Sequence, residues 1–305
     1  MTRRRSPAGA LLVALAAAGC ALGPPAVATG PGPSPPGFAS ATAGASPAGP
    51  PPMLLAAPTG LFVTAAGAPL ARSSVATPPG DGGATIAVGP GGSVLLVSGA
   101  GAGRPVATAA SLVRDRLAVR WSVALTAGAG ATPLAGCIDA AGQAIVIADR
   151  LIDLVDGRVA GTHEVPATAG RCQFTVDGAV AYLADVDHAV TAWRPPDGGA
   201  VVTATRCDDV GLGGGRLACL SGDGHIAVGR AGPWLAGGPA FDERAAQSWP
   251  GPARQVVISA DGTWLAIVAR DGSAVALYHR TGSAYGTAGG FDLPAGTVLL
   301  GFVGP

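Results

Sequence analysis

The sequence predicts an all-β domain in which one four-stranded unit is repeated about six times. In the clearest copy, residues 256 to 279, apolar residues alternate along three short segments that two Asp-Gly pairs separate. Asp-Gly between such segments is the strongest short-range signal of a β-hairpin. A strand, a turn with glycine and an apolar strand recur upstream, with turn glycines at Gly92, Gly142, Gly178, Gly214 and Gly262. Their spacings of 50, 36, 36 and 48 residues average close to the period of about 40–45 residues that a four-stranded propeller blade shows.

The two ends of the domain complete the last copy. Residues 297–304 read as a first strand with no further strands after it. Three segments at the start, Met53 to Ala57, Leu61 to Ala65 and Leu70 to Val75, supply the other three strands. Their pairing would close a ring and remove the open sheet edges that promote aggregation. We therefore predict a six-bladed β-propeller over residues 53–305, closed by its N- and C-terminal strands.

Two alternatives compete with parts of this prediction. A β-sandwich could also hold many short strands, but one steady period along the whole domain favours the propeller. Residues 108–119 can be read as a short helix, but we favour two strands that break near Arg114 and Asp115. The all-β prediction therefore extends through this segment.

The chain carries little charge and no net charge. Its 19 basic residues, all Arg, balance 19 acidic residues, and charged residues make up 12% of the chain, about half the usual share. Nucleic-acid-binding domains show a basic patch or stripe. The composition therefore predicts no nucleic-acid partner.

The N-terminus is predicted to be a signal peptide over residues 1–19. Three arginines precede an apolar segment, Ala8 to Ala18, that is too short to span a bilayer stably. This segment leads into Ala-Ala-Gly before Cys20, which resembles a bacterial lipobox. The resemblance implies a diacylglyceryl group on the Cys20 sulfur, with palmitate among the acyl chains, and hence an extracytoplasmic protein anchored to the membrane by lipid. The alternative is cleavage after Ala28, which would release a secreted protein.

Residues 20–52 are predicted to be the lipidated cysteine and a linker without regular structure. Residues 21–52 contain ten Pro, six Gly and no charged residue. Such a segment cannot bury a core, and its prolines block the hydrogen bonds of a sheet. A Pro-rich tether is semi-rigid, so it could lift the domain away from the membrane.

One motif resembles a known repeat. Residues Ser259 to Ala266 read Ser-Ala-Asp-Gly-Thr-Trp-Leu-Ala, which resembles the Ser-Pro-Asp-Gly-x-x-Leu-Ala repeat of WD-like β-propellers common in bacterial envelope proteins. The resemblance implies a bacterial lipoprotein whose ring has a central channel and serves as a binding scaffold, without a particular partner. No Trp-Asp pair ends a third strand, so the tetrad of eukaryotic WD repeats is not indicated.

Four cysteines follow Cys20, an even number that favours disulfides in an exported chain. Cys207 and Cys219 flank a glycine-rich turn, so we expect them to form a cross-strand bond. Cys137 and Cys172 open equivalent strands of successive blades, so we expect them to link two neighbouring blades. Buried free thiols are the alternative. No pair has the close spacing of zinc ligands.

Candidate binding residues come from turns and from one long loop. His188 and His225 lie at turns that lead into third strands, next to aspartates, and could share one face of the ring. The alternative is that they are solvated turn residues. Long loops on a rigid scaffold often carry function, and the loop after residue 232 contains Trp234, Phe241 and Trp249. No motif indicates a catalytic residue, a metal site or a cofactor.

These observations favour a non-enzymatic function. The expected protein is a monomeric, lipid-anchored propeller that binds a protein or a cell-envelope component. The alternative is a propeller enzyme, a hydrolase or lyase acting on sugars or lactones at one mouth of the channel. That enzyme would need three or more acidic or His side chains from different blades to meet at the mouth.

Overall fold

The computed structural model describes most of the predicted propeller domain. The described residues are 49–57, 60–64, 74–75, 85–98, 104–113, 116–126, 135–147, 150–164, 169–175, 180–184, 188–195, 198–231, 247–249 and 252–303. All of them belong to the second of the chain's two units, residues 41–305. The predicted signal peptide, Cys20 and most of the predicted linker lie outside the described residues. Within the described part, no helix is long and apolar enough to cross a membrane.

The described strands form six antiparallel four-stranded sheets, which we call blades 1 to 6. Blade 1 contains β1 (Met53–Ala57), β2 (Gly60–Thr64) and β3 (Ser74–Val75). Blade 2 contains β4 (Thr85–Val88), β5 (Ser93–Ser98), β6 (Val106–Val113) and β7 (Arg116–Ala124). Blade 3 contains β8 (Ala135–Ile138), β9 (Ala144–Ile147), β10 (Arg150–Val155) and β11 (Arg158–Glu164).

The second half of the domain continues the same pattern. Blade 4 contains β12 (Ala169–Phe174), β13 (Val180–Ala184), β14 (Ala189–Trp193) and β15 (Ala200–Arg206). Blade 5 contains β16 (Asp209–Gly213), β17 (Arg216–Leu220), β18 (Ile226–Arg230) and β19 (Gln247–Trp249). Blade 6 contains β20 (Ala253–Ile258), β21 (Trp264–Ala269), β22 (Ala274–Thr281) and β23 (Ala284–Asp292). The last strand, β24 (Val298–Phe302), joins blade 1.

The ring closes as the sequence predicts. Strand β24 pairs antiparallel with β1, so that Met53 faces Phe302 and Ala56 faces Val298. The innermost strands of the six blades are β24, β4, β8, β12, β16 and β20; each contacts the next, and β20 contacts β24. The fold is therefore a six-bladed β-propeller. The predicted break near Arg114 is confirmed, because β6 ends at Val113 and β7 begins at Arg116.

The third strand of blade 1 is described at Ser74–Val75, and the rest of its predicted range, from Leu70, lies outside the described residues. Cys207 precedes β16 and is not part of that strand. The amide of Cys207 instead donates to the carbonyl of His188 at 2.9 Å, so this residue belongs to the connection between blades 4 and 5.

The core lies between neighbouring blades. Trp264 and Leu277 of blade 6, for example, pack with Met53, Leu299 and Phe302 of blade 1. Sheets that are apolar on both faces need a neighbour on each side, and a closed ring of blades supplies one to every blade. The fourth strands lie at the outer rim and are much more exposed, as the alternating pattern of β7 and β11 shows.

An Asp-Gly turn joins β20 to β21 and is held by its own side chains. The Asp261 carboxylate accepts the amide and the hydroxyl of Thr263, at 3.0 and 2.7 Å, and the hydroxyl of Ser259 at 2.6 Å. Burial raises the pKa of Asp261, but these hydrogen bonds outweigh it, so the pKa lies below its ordinary value. Gly262 has φ +70, and a Cβ there would lie 2.8 Å from the carbonyl oxygen of Gly213. The motif therefore serves the turn and the packing of blade 6 against blade 5.

Two faces of the ring follow from the strand directions. We call the face at which the innermost strands begin the upper face, and the face at which they end the lower face. The upper face carries the blade-to-blade connections and the turns between second and third strands. The lower face carries the turns between first and second strands. The N-terminal segment joins the domain at the lower face, where the amide of Val303 donates to the carbonyl of Pro52 at 2.8 Å.

Candidate functional site

A cavity of about 400 Å³ opens at the upper face, and we call it the upper cavity. Its apolar wall comes from β24, β4 and β8; it comprises residues 85–88, 135–136 and 298–300 and, apart from Thr85, has no polar side chain. Its polar wall comes from β12, β20, β16 and the residue before β16, and it carries Arg171, Gln173, Asp208, Asp209, Arg254 and Gln255. Ligand pockets typically measure roughly 300–1,000 Å³ and combine apolar walls with a few polar groups. The upper cavity matches this description.

The channel narrows below the upper cavity. The next cavity along the channel measures only about 50 Å³ and is lined mainly by apolar groups such as Ile138, Leu212, Ile258 and Phe302. A further cavity of about 350 Å³ lies at the lower face, between Phe174 and the turn at Gly214. The upper cavity therefore has a narrow, largely apolar floor.

An ion pair on the polar wall joins three blades. The Nη1 atom of Arg171 donates to both carboxylate oxygens of Asp209, at 2.6 and 2.7 Å. The second oxygen of Asp209 also accepts the backbone amide of Val256 at 2.9 Å. The Asp209 side chain is 8% exposed and the Arg171 side chain 36% exposed. One buried carboxylate thus connects β12, β16 and β20, and it holds the guanidinium of Arg171 at the cavity wall.

Two glutamines extend these links. The side-chain oxygen of Gln173 accepts the backbone amide of Leu212, which joins β12 to β16. The side-chain nitrogen of Gln255 donates to the carbonyl of Leu299 at 2.7 Å, which joins β20 to β24. Buried polar groups stabilise a structure when they are hydrogen-bonded and destabilise it when they are not. These side chains therefore fix the spacing of neighbouring innermost strands.

Both expected disulfide pairs are present. Cys137 is bonded to Cys172, with the two Cα atoms 5.5 Å apart, and joins β8 to β12. Cys207 is bonded to Cys219, with Cα atoms 5.3 Å apart, and ties the connection before blade 5 to β17. With the side-chain links, a covalent or hydrogen-bonded connection runs through the innermost strands from β8 to β24. We call these connections the inter-blade links.

The remaining innermost strands meet by close packing. A Cβ atom on Gly89, at the end of β4, would lie 2.0 Å from the carbonyl oxygen of Ile138 at the end of β8. A Cβ on Gly301 would lie 3.2 Å from the Cβ of Val88. Only glycine allows the backbone at Gly89 to approach its neighbour this closely. The innermost strands β24, β4 and β8 are therefore tightly packed near their lower ends.

His188 lies at the upper face beside the polar wall. Its Nδ1 atom lies 3.3 Å from the carboxylate of Asp208, and the two side chains are 55% and 46% exposed. Its backbone has φ 56, a conformation that is uncommon for residues other than glycine. The carbonyl of His188 accepts the amide of Cys207, so this backbone conformation is held by a tertiary hydrogen bond.

His225 lies at the equivalent turn of blade 5 and has its own aspartate. Its Nε2 atom lies 3.6 Å from the Asp223 carboxylate, and both side chains are mostly exposed. Hydrogen bonds from the Ser221 hydroxyl and the His225 amide lower the pKa of Asp223. The two histidines thus share the upper face, as the sequence suggests, but each pairs with its own aspartate.

The predicted aromatic residues lie at the edge of what the structure describes. Trp249 is the last residue of β19, and its backbone pairs with Ile226 beside His225. Trp234 and Phe241 lie outside the described residues, as does most of their loop. Among the described residues, no group of three or more His, Cys, Asp or Glu could hold a metal ion.

Sequence reasoning missed the residues of the polar wall. Asp209 and Gln255 each stand in a strand whose other residues are mainly apolar and buried, and Arg171 stands in β12 next to the buried Cys172. A charged or amide side chain inside such a strand is unusual, because a buried polar group needs a partner. This interruption of the apolar pattern was the available signal, and it marks the three blades that form the polar wall.

The chain is similar to solved structures of other proteins, one of which has a TM-score above 0.5 and is a β-propeller domain. The β-propeller domain of Cps50 (Swd1) from Myceliophteria thermophila has a TM-score of 0.51 and 11% identity, over 72% of this chain and 74% of that chain. Hsv2 from Kluyveromyces lactis has a TM-score of 0.46 and 10% identity, over 67% of this chain and 63% of that chain. A candidate 6-phosphogluconolactonase from Bacteroides fragilis has a TM-score of 0.44 and 14% identity, over 83% of this chain and 96% of that chain. No protein-family model and no curated protein matches the chain.

Proposed function

We propose that this protein is an extracytoplasmic β-propeller, held at a bacterial membrane by a lipid on Cys20, that binds a protein or a cell-envelope component at its upper face. The observation that carries the proposal is the upper cavity, which places an apolar wall opposite a polar wall. The inter-blade links hold the polar wall in place before any ligand arrives. A preformed site loses less conformational freedom on binding, which favours affinity.

The apolar wall also supports a binding function. Val298 stands on this wall and is 44% exposed, although it belongs to an innermost strand of the ring. An exposed apolar side chain next to fixed polar groups is the usual composition of a recognition site. A partner that covered Val298 would bury apolar surface and meet the hydrogen-bonding groups of the opposite wall.

The disulfides support the proposed location. Disulfides persist in extracytoplasmic compartments and are rare where thiols are kept reduced. Two are present in this domain, and the sequence begins with a basic and apolar segment typical of export. The proposed lipid anchor on Cys20 then accounts for attachment to the membrane.

The anchor is tested by substitution of Cys20. Cells that produce the full chain or its Cys20→Ala variant are separated into membrane and soluble fractions and probed with an antibody. The wild-type chain is expected in the membrane fraction and to incorporate labelled palmitate, whereas the variant should do neither. A Cys20→Ala protein that remains with the membrane would refute the lipid anchor.

Binding at the upper face is tested with a matched pair of substitutions. Val298→Asp introduces a charge on the apolar wall, and Val159→Asp does so on the outer strand β11, where Val159 is 55% exposed. Proteins and envelope material captured by the wild-type domain should be lost with Val298→Asp and retained with Val159→Asp. Equal capture by the two variants would place the partner elsewhere on the domain.

A further inference from the structure

We infer that the upper cavity receives the C-terminal carboxylate of a peptide chain, with Arg171 and Arg254 as its hydrogen-bond donors and the apolar wall as the site of the last side chain. The inference rests on the proposed function, because it names the ligand of that same cavity. Its support comes from the unused donors of the two arginines, the composition of the two walls and the narrow floor.

Some N–H groups of Arg171 have no partner among the described residues at the cavity wall. Asp209 engages only its Nη1 atom, so Nη2 and Nε have no partner among the described residues. The side chain is 36% exposed and lines the cavity. A guanidinium presents five N–H groups in a rigid fork that matches the two oxygens of a carboxylate. Asp209 therefore acts as a positioning residue that orients the fork.

Arg254 supplies a second guanidinium on the same wall. It lies on β20 and lines the cavity, and it has no hydrogen-bond partner among the described residues. A Cβ atom on Gly272 would lie 2.3 to 2.6 Å from its guanidinium atoms, so the head of Arg254 rests against the turn at Gly272. Its charge contributes to lowering the pKa of Asp271, after the hydrogen bonds from Ser273. Its guanidinium therefore lies beside this turn, and the residue lines the rim of the cavity.

The two acidic residues that line the cavity, Asp208 and Asp209, have partners of their own. Asp209 is occupied by Arg171 and by the Val256 amide. Asp208 is exposed and lies 3.3 Å from the Nδ1 atom of His188. An incoming carboxylate could therefore bind the N–H groups of Arg171 and Arg254 that are free in the described part of the domain. The two aspartates on the same wall already have other partners.

The apolar wall favours a peptide over an acidic sugar. Ile86, Ala135 and Val298 lie opposite the arginines, and a sugar acid carries hydroxyl groups that would lose water against them without gaining hydrogen bonds. An apolar side chain next to a carboxylate satisfies both walls at once. A C-terminal residue such as Val or Leu has this arrangement.

The narrow channel below the upper cavity favours a chain terminus over an internal segment as the ligand. Below the upper cavity the channel measures only about 50 Å³, whereas the cavity itself measures about 400 Å³. A continuous chain would have to enter and leave through the same opening, but a chain terminus needs to enter only once. The geometry therefore points to the terminal carboxylate and not to an acidic side chain within a segment.

The test uses the intact domain with both disulfides and two acetylated hexapeptides that end in Ala-Val. One peptide has a free carboxylate and the other a C-terminal amide, and binding is measured by isothermal titration calorimetry. Hydrogen bonds to charged groups are each worth roughly a 10- to 100-fold change in affinity. The acid is expected to bind at least 10-fold more tightly than the amide.

Substitutions assign this difference to the arginines. Arg254→Gln should weaken binding of the acid about 10-fold and leave the amide unchanged, while Arg158→Gln on the outer strand β11 should change neither. Arg171→Gln should act like Arg254→Gln. Because it leaves Asp209 without its cation, it is used only if circular dichroism shows a folded domain. Val298→Asp should abolish binding of the acid without touching either arginine.

Three outcomes would overturn the inference. They are equal binding of acid and amide, no effect of Arg254→Gln, and binding of polygalacturonate with no binding of the peptides. The proposed function fails separately. If Val298→Asp still loses an envelope partner while neither peptide binds, the upper face remains the binding face and only the terminal carboxylate is wrong.

Discussion

Removing the carboxylate of Asp209 should destabilise the propeller far more than removing that of its neighbour Asp208. Asp209 is 8% exposed and accepts hydrogen bonds from Arg171 and from the amide of Val256. Asp208 is 46% exposed, and its side-chain neighbour is the imidazole of His188. The two residues are adjacent and chemically identical, so a comparison of Asp209→Ala with Asp208→Ala isolates the effect of the inter-blade links.

The magnitude follows from the groups that lose their partners. A buried backbone amide left without an acceptor costs about 1–3 kcal/mol, which applies to the Val256 amide. The lost charge-assisted bonds to Arg171 are worth about 1 kcal/mol, because that side chain is 36% exposed and water partly replaces the carboxylate. Together the expected loss is about 3 kcal/mol. For a domain of this size it corresponds to a decrease in Tm of roughly 10 °C.

The assay is equilibrium unfolding in urea under oxidising conditions, followed by tryptophan fluorescence. Asp208→Ala should change the free energy of unfolding by less than about 1 kcal/mol, as is usual for exposed ion pairs. Asp209→Asn keeps an oxygen acceptor for the Val256 amide but loses the charge, so it should fall between the two alanine variants. If Asp209→Ala and Asp208→Ala unfold at the same urea concentration, the inter-blade links do not stabilise the ring.

Three further predictions concern other parts of the ring and are also measured by unfolding. Gly262→Ala should lower the free energy of unfolding by about 2 kcal/mol or more. Gly282 has φ +64 and open space around it, so Gly282→Ala should lower it by only about 1 kcal/mol. Equal losses would contradict the close approach of Gly262 to Gly213. Burial raises the pKa of Asp153 above its ordinary value of 3.8, so the protonated carboxyl stabilises the fold and this stabilisation is lost as pH rises. The free energy of unfolding of Asp153→Asn should therefore increase relative to that of the wild type between pH 4 and pH 8. A difference that stays constant with pH would refute this. Removing the Cys137–Cys172 disulfide, which spans 35 residues, should lower the free energy of unfolding by about 4 kcal/mol. Removing Cys207–Cys219, which spans 12 residues, should lower it by about 3 kcal/mol. If the second loss is the larger, the entropy of the unfolded chain does not set the difference.

The architecture was accessible from the sequence because it depends on local signals. Asp-Gly pairs and alternating apolar residues indicate hairpins within a few residues of one another, and their spacing counts the blades. The closure by β24 followed from an incomplete last copy and three unassigned strands at the start. The disulfides followed from the same period, since Cys137 and Cys172 lie 35 residues apart, which places them on innermost strands of successive blades.

The site was less accessible because its contacts join residues that no local rule relates. Arg171 meets Asp209 across 38 residues, and Asp209 meets the Val256 amide across 47. The period shows that these residues lie on neighbouring strands, but not that their side chains point at each other. The interpretation of His188 shows the same limit. Its turn and its face were predicted, whereas its partner, Asp208, comes from the next connection along the ring.

The inter-blade links explain why the polar residues gather on one side of the ring. A propeller can close with apolar contacts alone, as β24, β4 and β8 do through Gly89 and Gly301. On the other side, Arg171, Asp209 and Gln255 replace that packing with buried hydrogen bonds, which rarely add net stability over well-packed apolar groups. Stability alone therefore does not require them. What they add is a set of rigidly placed donors facing an apolar wall, and this is the property that a binding site needs and a core does not.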